Sequence, residues 1–397
     1  MLATYSEHSY SKADIVVVDI HLDVTKRILG NPYEYEFTYD GFSRSIEVVA
    51  NNISPNTLCV IESTVPPGTT AKVIYPIFVE AFRKRKLDIN KFHLAHSYER
   101  VMPGRNCMDS IVNFYRVYSG INKESETMAE EFLKSFINTK DYPLYRLHST
   151  TASEMAKVLE NSYRAMNIAF IEEWTEYAEE TEVDLFEVIT AIRMRPTHKN
   201  IMSPGFGVGG YCLSKDPLLA DWSYKNLFNG DGHLKMSVEA VATNDLMPNY
   251  TFDLLKREVG NLKDKHITIL GISYLNDVAD TRCSPTGLFY DKCLGEGANV
   301  NLHDPLVTFW EEKKLQINSE INHLRVKKHD VAIFTVRHSL YLDMTVDDIL
   351  STLPGVKVVI DANNIISNDT AKKLSDKNIK IIGVGKGQLK KLWKNNE

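Results

Sequence analysis

The sequence predicts an α/β protein with two doubly wound parallel-sheet domains bridged by a long central helix, the first domain being incomplete. Short apolar β-branched runs alternate with helical periods near both ends of the chain, in residues 13–147 and 265–383. One long helical period, residues 151–180, separates these regions. The 397 residues are enough for two or three domains. We expect domains at residues 1–148, 149–255 and 256–397.

Composition and charge exclude several classes of function. The 46 basic and 52 acidic residues give a net charge of −6, which does not favour nucleic acid or an anionic membrane as a partner. Five cysteines without metal-ligand spacing indicate free thiols, so we expect a cytoplasmic protein with neither a disulfide framework nor a metal site. No apolar run approaches the roughly 18 residues that a membrane span needs.

The N-terminal region opens on residues 13–20, a continuous β-branched run that predicts a strand buried on both faces. A second buried strand is predicted at residues 57–62. The turn at residues 63–68 then lies at the carboxyl end of that strand, where open α/β sheets bind ligands. The remaining elements of this region are helices at 42–52, 71–86 and 125–135 and strands at 113–120 and 142–147.

The central helix, residues 151–180, places Lys157, Asn161 and Arg164 on one face, because they are spaced four and three residues apart. Such a face is either a solvated surface or a functional one, and the neighbouring residues do not decide between them. Apolar residues further along, including Phe170 and Trp174, form more helix surface than one small domain would cover. We expect a homodimer that forms through this helix.

A glycine-rich loop at residues 203–217 carries Gly205, Gly207, Gly209 and Gly210 just before Cys212. Glycines allow positive φ angles and a close approach of the backbone to a ligand, so the loop would present a reactive thiol. A buried structural cysteine is the alternative. The pattern G-x-G-x-x-G also occurs here, but no strand precedes it and helical periodicity resumes only at residue 218. We therefore reject a dinucleotide site in this loop.

The C-terminal region predicts a second doubly wound sheet, because strands again alternate with helical segments. The strands are expected at residues 265–273, 298–304, 329–336, 357–361 and 379–383, with a helix at 285–295.

Five motifs follow one another along the chain. They are Ser63-Thr-Val-Pro-Pro-Gly68, Ser97-Tyr-Glu-Arg-Val-Met-Pro-Gly104, Glu154-Met-Ala-Lys-Val-Leu-Glu-Asn161, Gly205-Phe-Gly-Val-Gly-Gly-Tyr-Cys-Leu-Ser-Lys-Asp216 and Asp280-Thr-Arg-Cys-Ser-Pro285. Their order resembles the UDP-glucose/GDP-mannose dehydrogenase family over essentially the whole chain. The resemblance implies Rossmann-like domains and an NAD-dependent oxidation of the C6 alcohol of a UDP-sugar to the uronate, for polysaccharide biosynthesis. Residues 97–100 and 195–199 favour a UDP-N-acetylhexosamine, with UDP-glucose and GDP-mannose left open.

The resemblance also implies catalytic roles. Cys212 would attack the C6 aldehyde to give a thiohemiacetal, which is oxidised to a thioester that water cleaves. Lys157 would stabilise the oxyanions, with Asn161 as a neighbouring donor. Asp216 would orient or deprotonate the water.

Further positions match the family's turns. Glu99 and Thr64 would serve thioester hydrolysis and water positioning. Substrate contacts are expected from Arg100, Val101, Ser203, Phe206, Gly207 and Gly209. Contacts with NAD are expected from Thr64, Pro103 and Arg282.

The sequence departs from the family in two places. The family's first strand, its G-x-G-x-x-G turn and its acidic ribose ligand do not occur, so we expect about 60 or more residues to be missing and an apolar unpaired strand edge at residues 15–20. An upstream reading frame, a late start or a degenerate copy would each explain this. The second departure is Tyr274-Leu275 and Asp361-Ala-Asn-Asn364, where many relatives carry Phe-Lys and a late arginine. The alternative function is a catalytically silent nucleotide-sugar-binding or assembly protein that does not hold NAD.

Overall fold

The computed structural model describes residues 3–102, 104 and 106–394. It divides into two compact units, which we call unit 1 (residues 1–163 and 215–238) and unit 2 (residues 164–214 and 239–397). The long helix α5 (Thr150–Glu180) begins in unit 1 and ends in unit 2. The division into three domains stays a prediction.

Unit 1 is an α/β unit whose sheet is partly parallel. Its strands are β1 (Ile15–Val18), β2 (Thr25–Lys26), β3 (Tyr35–Glu36), β4 (Leu58–Ile61), β5 (His93–His96), β6 (Val117–Gly120) and β7 (Tyr145–Arg146). Its helices before α5 are α1 (Asp40–Asn52), α2 (Tyr75–Lys84), α3 (Cys107–Val112) and α4 (Lys123–Lys134). The main sheet has the order β1-β4-β5-β6-β7, in which β1, β4 and β5 are parallel and β6 runs antiparallel to β5.

Strand β1 lies at the edge of this sheet, as expected, but the prediction that both of its faces are buried was wrong. Val16 and Val18 pack into the core with α1 and α2, whereas Ile15 and Val17 remain 37% and 43% exposed. The opposite face of the sheet is covered by α4, which contacts β4, β5 and β6. The β-branched run therefore correctly predicts a strand. Whether each face of that strand is buried depends on the helices that pack against it, and α4 does not cover the face with Ile15 and Val17.

Unit 2 contains the second doubly wound sheet, which confirms the prediction. Its strands are β8 (His266–Leu270), β9 (Asn299–His303), β10 (Phe309–Trp310), β11 (Leu315–Gln316), β12 (Val331–Phe334), β13 (Val358–Asp361) and β14 (Lys380–Gly383). The main sheet has the order β14-β13-β12-β8-β9 with every neighbouring pair parallel. Because the chain leaves β8 first to one side and then to the other, the point between β8 and β12 is where such sheets bind ligands.

The remaining helices include α7, which begins earlier than the sequence predicted. They are α6 (Leu185–Arg193), α7 (Cys212–Asn226), α8 (Lys235–Val259), α9 (Thr286–Gly295), α10 (Ser339–Leu342), α11 (Val346–Thr352), α12 (Asn368–Ser375) and α13 (Lys391–Lys394). Helix α7 starts at Cys212 and contains Pro217 at its sixth position, where the missing N–H removes one hydrogen bond of the helix. Short 3₁₀ segments occur at Glu7–Lys12, Ile89–Lys91, Pro196–His198, Ile321–Val326 and Gly387–Lys390, and a π-helical turn at Thr70–Ile74. In the described part of the chain, no helix combines the length and the apolar character that crossing a bilayer requires.

Candidate active site

The first catalytic candidates meet in unit 1, where α5 approaches the carboxyl end of β5. Lys157 lies on α5, and its Nζ is 3.2 Å from Oε1 of Glu99 and 3.3 Å from the Glu99 carbonyl oxygen. Glu99 follows β5 by three residues, so the carboxyl end of a parallel strand supplies it. The two side chains are 12% and 26% exposed. The Lys157 ammonium and the Glu99 carboxylate therefore form an ion pair with each other and are both still accessible to a ligand.

Asn161 and Asp216 form a second pair one turn further along α5. The Asn161 Nδ2 donates to Oδ2 of Asp216 at 2.6 Å, and Lys215 donates to the other carboxylate oxygen at 3.2 Å. Asp216 is fully buried. Both of its oxygens accept hydrogen bonds within the protein, and the predicted role of Asp216 toward water stays a prediction.

A residue without a predicted role, Glu154, ties α5 to the turn after β4. Its carboxylate accepts hydrogen bonds from the Gly68 and Thr70 amides at 2.6 and 2.7 Å, and it is fully buried. Burial raises its pKa to about 7, against the opposing effect of these hydrogen bonds. The same turn carries Thr64, which is half-buried. The sequence signal was an acidic residue three positions before Lys157, on the same side of a helix.

The turn after Glu99 holds three predicted ligand contacts. Arg100 forms a double hydrogen bond with Glu160 of α5, at 2.6 and 2.8 Å, and its guanidinium lies over the Tyr98 ring. Val101 is exposed, and its amide donates to Glu99. Pro103 lies outside the described residues. The Arg100 pair fixes this turn to α5, so a direct contact between Arg100 and substrate stays a prediction.

In unit 2, the glycine loop packs closely against residues 274–285. A Cβ at Gly209 would stand 2.4 Å from the Cβ of Tyr274, and one at Gly207 would stand 2.6 Å from the Cβ of Pro285. Of the four glycines, only Gly210 has a positive φ, and its amide donates to the Arg282 carbonyl. The loop therefore needs glycine largely to approach residues 274–285, rather than only to approach a ligand as the sequence suggested.

Cys212 is exposed, forms no disulfide and is the first residue of α7. This placement decides against the structural alternative of a buried cysteine. The amino-terminal end of a helix favours negative charge, which suits a thiolate. The helix that begins here also removes one of our two reasons for rejecting a dinucleotide site in the loop. The other reason holds, because no strand precedes the glycines in residues 194–211.

Arg282 and the remaining loop residues lie near this segment. The Arg282 guanidinium pairs with Asp280 and lies 4.9 Å from the centre of the Tyr211 ring. The hydrogen bond to Asp280 is the main cause that raises the pKa of Arg282. Ser203 accepts a hydrogen bond from Arg193, and Phe206 is buried against Phe289. Cofactor contact by Arg282 and substrate contact by the loop stay predictions.

A cavity of about 350 Å³ opens at the carboxyl ends of β8, β12 and β13 in unit 2. The glycine loop forms one wall through residues 203–208, and residues 273–276 and 335–337 form others. It lies at the switch point of the sheet, where nucleotides bind in this class of fold. Among the described residues, no group of three or more His, Cys, Asp and Glu side chains is placed to hold a metal ion.

The α/β sheets of the two units are of the kind found in nucleotide-binding enzymes. Residues 8–137, 151–245 and 268–368 match, in turn, the NAD binding, central and UDP binding domains of the UDP-glucose/GDP-mannose dehydrogenase family. The chain belongs to this family. NAD is its cofactor, and it is a nucleotide-sugar dehydrogenase.

Individual proteins are similar over most of the chain. A UDP-N-acetyl-D-mannosamine dehydrogenase of Methanococcus maripaludis is 32% identical over 345 residues, which cover 86% of this chain and 74% of that protein. The structure of an NDP-N-acetyl-D-galactosaminuronic acid dehydrogenase from Methanosarcina mazei matches with a TM-score of 0.81 and 27% identity, over 97% of this chain and 80% of the other. A UDP-D-ManNAc dehydrogenase from Pyrococcus horikoshii matches with a TM-score of 0.77 and 25% identity, over 97% and 84%.

The residues at the carboxyl ends of β4 and β5 lie where a sheet of this class would hold NAD, and their contact with the cofactor stays a prediction. Thr64 and Glu99 follow neighbouring parallel strands, which brings them to the edge where such sheets hold nucleotides. The helix amides nearest this edge, at Gly68 and Thr70, are occupied by Glu154 and are not available to a phosphate. Because these two amides donate to Glu154, we expect side chains, and not these amides, to contact the cofactor.

Proposed function

We propose that this protein oxidises the C6 alcohol of a UDP-N-acetylhexosamine to the carboxylate in two NAD-dependent steps through a cysteine-bound intermediate. The observation that carries the roles is the pair of contacts on α5, in which Glu99 holds Lys157 and Asp216 holds Asn161 one turn later. The names of the relatives support the N-acetylhexosamine. The family match favours this enzyme over the silent binding protein.

The residues divide the chemistry between them. NAD, when bound, accepts one hydride from C6 in each oxidation. Lys157 donates a hydrogen bond to the C6 oxygen and stabilises the negative charge that develops on this oxygen as the hydroxyl proton passes to solvent water. Asn161 adds a neutral donor whose orientation Asp216 fixes.

Cys212 acts between the two oxidations. Its thiolate adds to the aldehyde carbon to form a thiohemiacetal, and loss of hydride from that carbon gives a thioester. Water then adds to the thioester carbonyl, the carbon–sulfur bond breaks, and the thiolate and the carboxylate are released. We assign activation of this water to Glu99, whose carboxylate is more accessible than the buried Asp216.

The test is the Cys212→Ala variant, assayed for uronate and NADH with UDP-N-acetylhexosamines. We expect no uronate, with UDP binding unchanged, because the sulfur that carries the intermediate is gone while the UDP cavity is intact. Cys107→Ala, a free cysteine at the start of α3, is the matched control and should retain activity. Uronate formation by Cys212→Ala at the rate of the unmodified protein would overturn the mechanism.

We also propose that the protein is a homodimer. Large apolar side chains are exposed along α5 at spacings of three, four and seven residues, which places them on one side of the helix. They are Met155, Leu159, Tyr163, Phe170, Trp174 and Tyr177. None of the five cysteines, which all lie within the described residues, forms a disulfide, and this supports the further proposal of a reducing, cytoplasmic location.

A further inference from the structure

The cavity at the carboxyl ends of β8, β12 and β13 is suited to an anion. Among the described residues, two arginines, Arg193 and Arg337, contribute to its lining, and no aspartate or glutamate does. A cavity lined by charges of one sign attracts ligands of the opposite sign. The diphosphate is the anionic part of a nucleotide sugar, so this cavity fits that part of the substrate.

Of the two arginines, Arg193 is already engaged. Its Nε and Nη2 donate to the Ile201 carbonyl at 3.0 and 2.6 Å, and Nη2 also donates to Ser203 Oγ at 2.9 Å. These bonds hold the start of the glycine loop. The Arg193 guanidinium therefore stabilises the conformation of the loop.

Arg337, unlike Arg193, has no such partners within the described residues. It follows β12 by three residues, it is exposed, and across residues 3–102, 104 and 106–394 it forms no hydrogen bond or ion pair. Three of the positions that depart from the family pattern line the same cavity and are neutral, namely Tyr274, Leu275 and Asn363. The Asn363 amide already donates to the Thr335 carbonyl at 3.0 Å. Arg337 is thus the cation of this cavity that is free to bind a ligand.

We propose that Arg337 binds the diphosphate of the nucleotide-sugar substrate and supplies the positive charge that the neutral residues Leu275 and Asn363 do not. The proposal rests on the proposed function, because it assumes a UDP-sugar in this cavity. A guanidinium suits the role, since its planar fork donates two parallel hydrogen bonds to phosphate oxygens. In this chain, the carboxyl end of β12 would then determine affinity for the diphosphate.

The experiment is calorimetric titration of UDP and of uridine into the full chain and into Arg337→Ala, Arg337→Lys and Arg325→Ala. Uridine lacks the diphosphate, so it reports whether the rest of the cavity is intact. Arg325 is an exposed arginine in the 3₁₀ segment Ile321–Val326 of the same unit, outside the cavity lining, and is the matched control.

We expect Arg337→Ala to weaken UDP by about tenfold or more, as for loss of a charge-assisted hydrogen bond, and to leave uridine within about twofold. Arg337→Lys should recover part of the loss, and Arg325→Ala should not change UDP binding. If Arg337→Ala binds UDP as the unmodified chain does, or loses uridine to the same extent, the role of Arg337 is wrong while the proposed function stands. If the unmodified chain binds neither UDP nor a UDP-sugar, the proposed function itself fails.

Discussion

Replacing Glu154 by glutamine should change how the stability of unit 1 depends on pH. Glu154 is fully buried and accepts hydrogen bonds from the Gly68 and Thr70 amides. Its pKa is raised from 4.5 to about 7. Because the folded-state pKa is the higher one, the folded protein binds more protons than the unfolded chain between these two values. The contribution of Glu154 to stability therefore falls as pH rises from 4.5 toward 7, and is constant above that.

The size of this effect follows from the shift in pKa. Each pKa unit corresponds to about 1.4 kcal/mol, so the full shift amounts to about 3 kcal/mol. Between about pH 5.5 and about pH 8, roughly 2 kcal/mol of it should be lost from the unmodified protein and none from Glu154→Gln. Glutamine also offers one oxygen to two amides, which adds a cost of about 1–3 kcal/mol that does not depend on pH.

Hydrogen exchange measured by mass spectrometry in increasing urea would test this, because peptides from unit 1 report that unit alone. The difference between the two proteins should shift by about 2 kcal/mol in favour of Glu154→Gln when pH is raised from about 5.5 to about 8. Glu173→Gln, an exposed position on α5, should show no such shift. A difference that is equal at the two pH values would refute the linkage between burial of Glu154 and its proton.

Two further results are expected. Gly209→Ala should destabilise unit 2 by about 1–3 kcal/mol in chemical denaturation, because its Cβ would stand 2.4 Å from the Cβ of Tyr274. Gly295→Ala, with no atom within 4 Å of the new Cβ, should be neutral or slightly stabilising, and equal effects at the two sites would contradict the packing argument. Trp174→Glu should convert a dimer into a monomer in sedimentation velocity, whereas an unchanged sedimentation coefficient would place any dimer contact elsewhere.

Much of the second sheet could be predicted from the sequence, because each of its strands is a short apolar run bounded by turn residues. The burial of β1 could not be predicted, because it depends on which strands α4 covers. Helix α4 contacts β4, β5 and β6, and this follows from how the sheet packs rather than from the sequence of β1. The start of α7 was missed because helical periodicity is visible in the sequence only from residue 218, whereas the helix begins at Cys212 and continues through Pro217.

The candidate site was predictable where residue spacing along one helix decided it. Lys157 and Asn161 share a face of α5 by spacing alone, whereas their partners Glu99 and Asp216 lie 58 and 55 residues away along the chain. The resemblance to a known family indicated Glu99 and Asp216 as site residues, and the structure shows which residue of α5 each one contacts. It did not identify Glu154, because a buried carboxylate becomes visible only when its two amide partners are located.

The three contacts that α5 makes through Glu154, Lys157 and Asn161 reach three separate parts of unit 1 from one stretch of eight residues. Successive helix positions are about 100° apart, so a single inserted or deleted residue between Glu154 and Asn161 would turn at least one of these side chains away from its partner. Substitutions on the opposite side of the same stretch have no such effect. During divergence of this chain, the length of α5 between these residues is therefore fixed, while its exposed side is constrained separately, by the dimer contact that we propose.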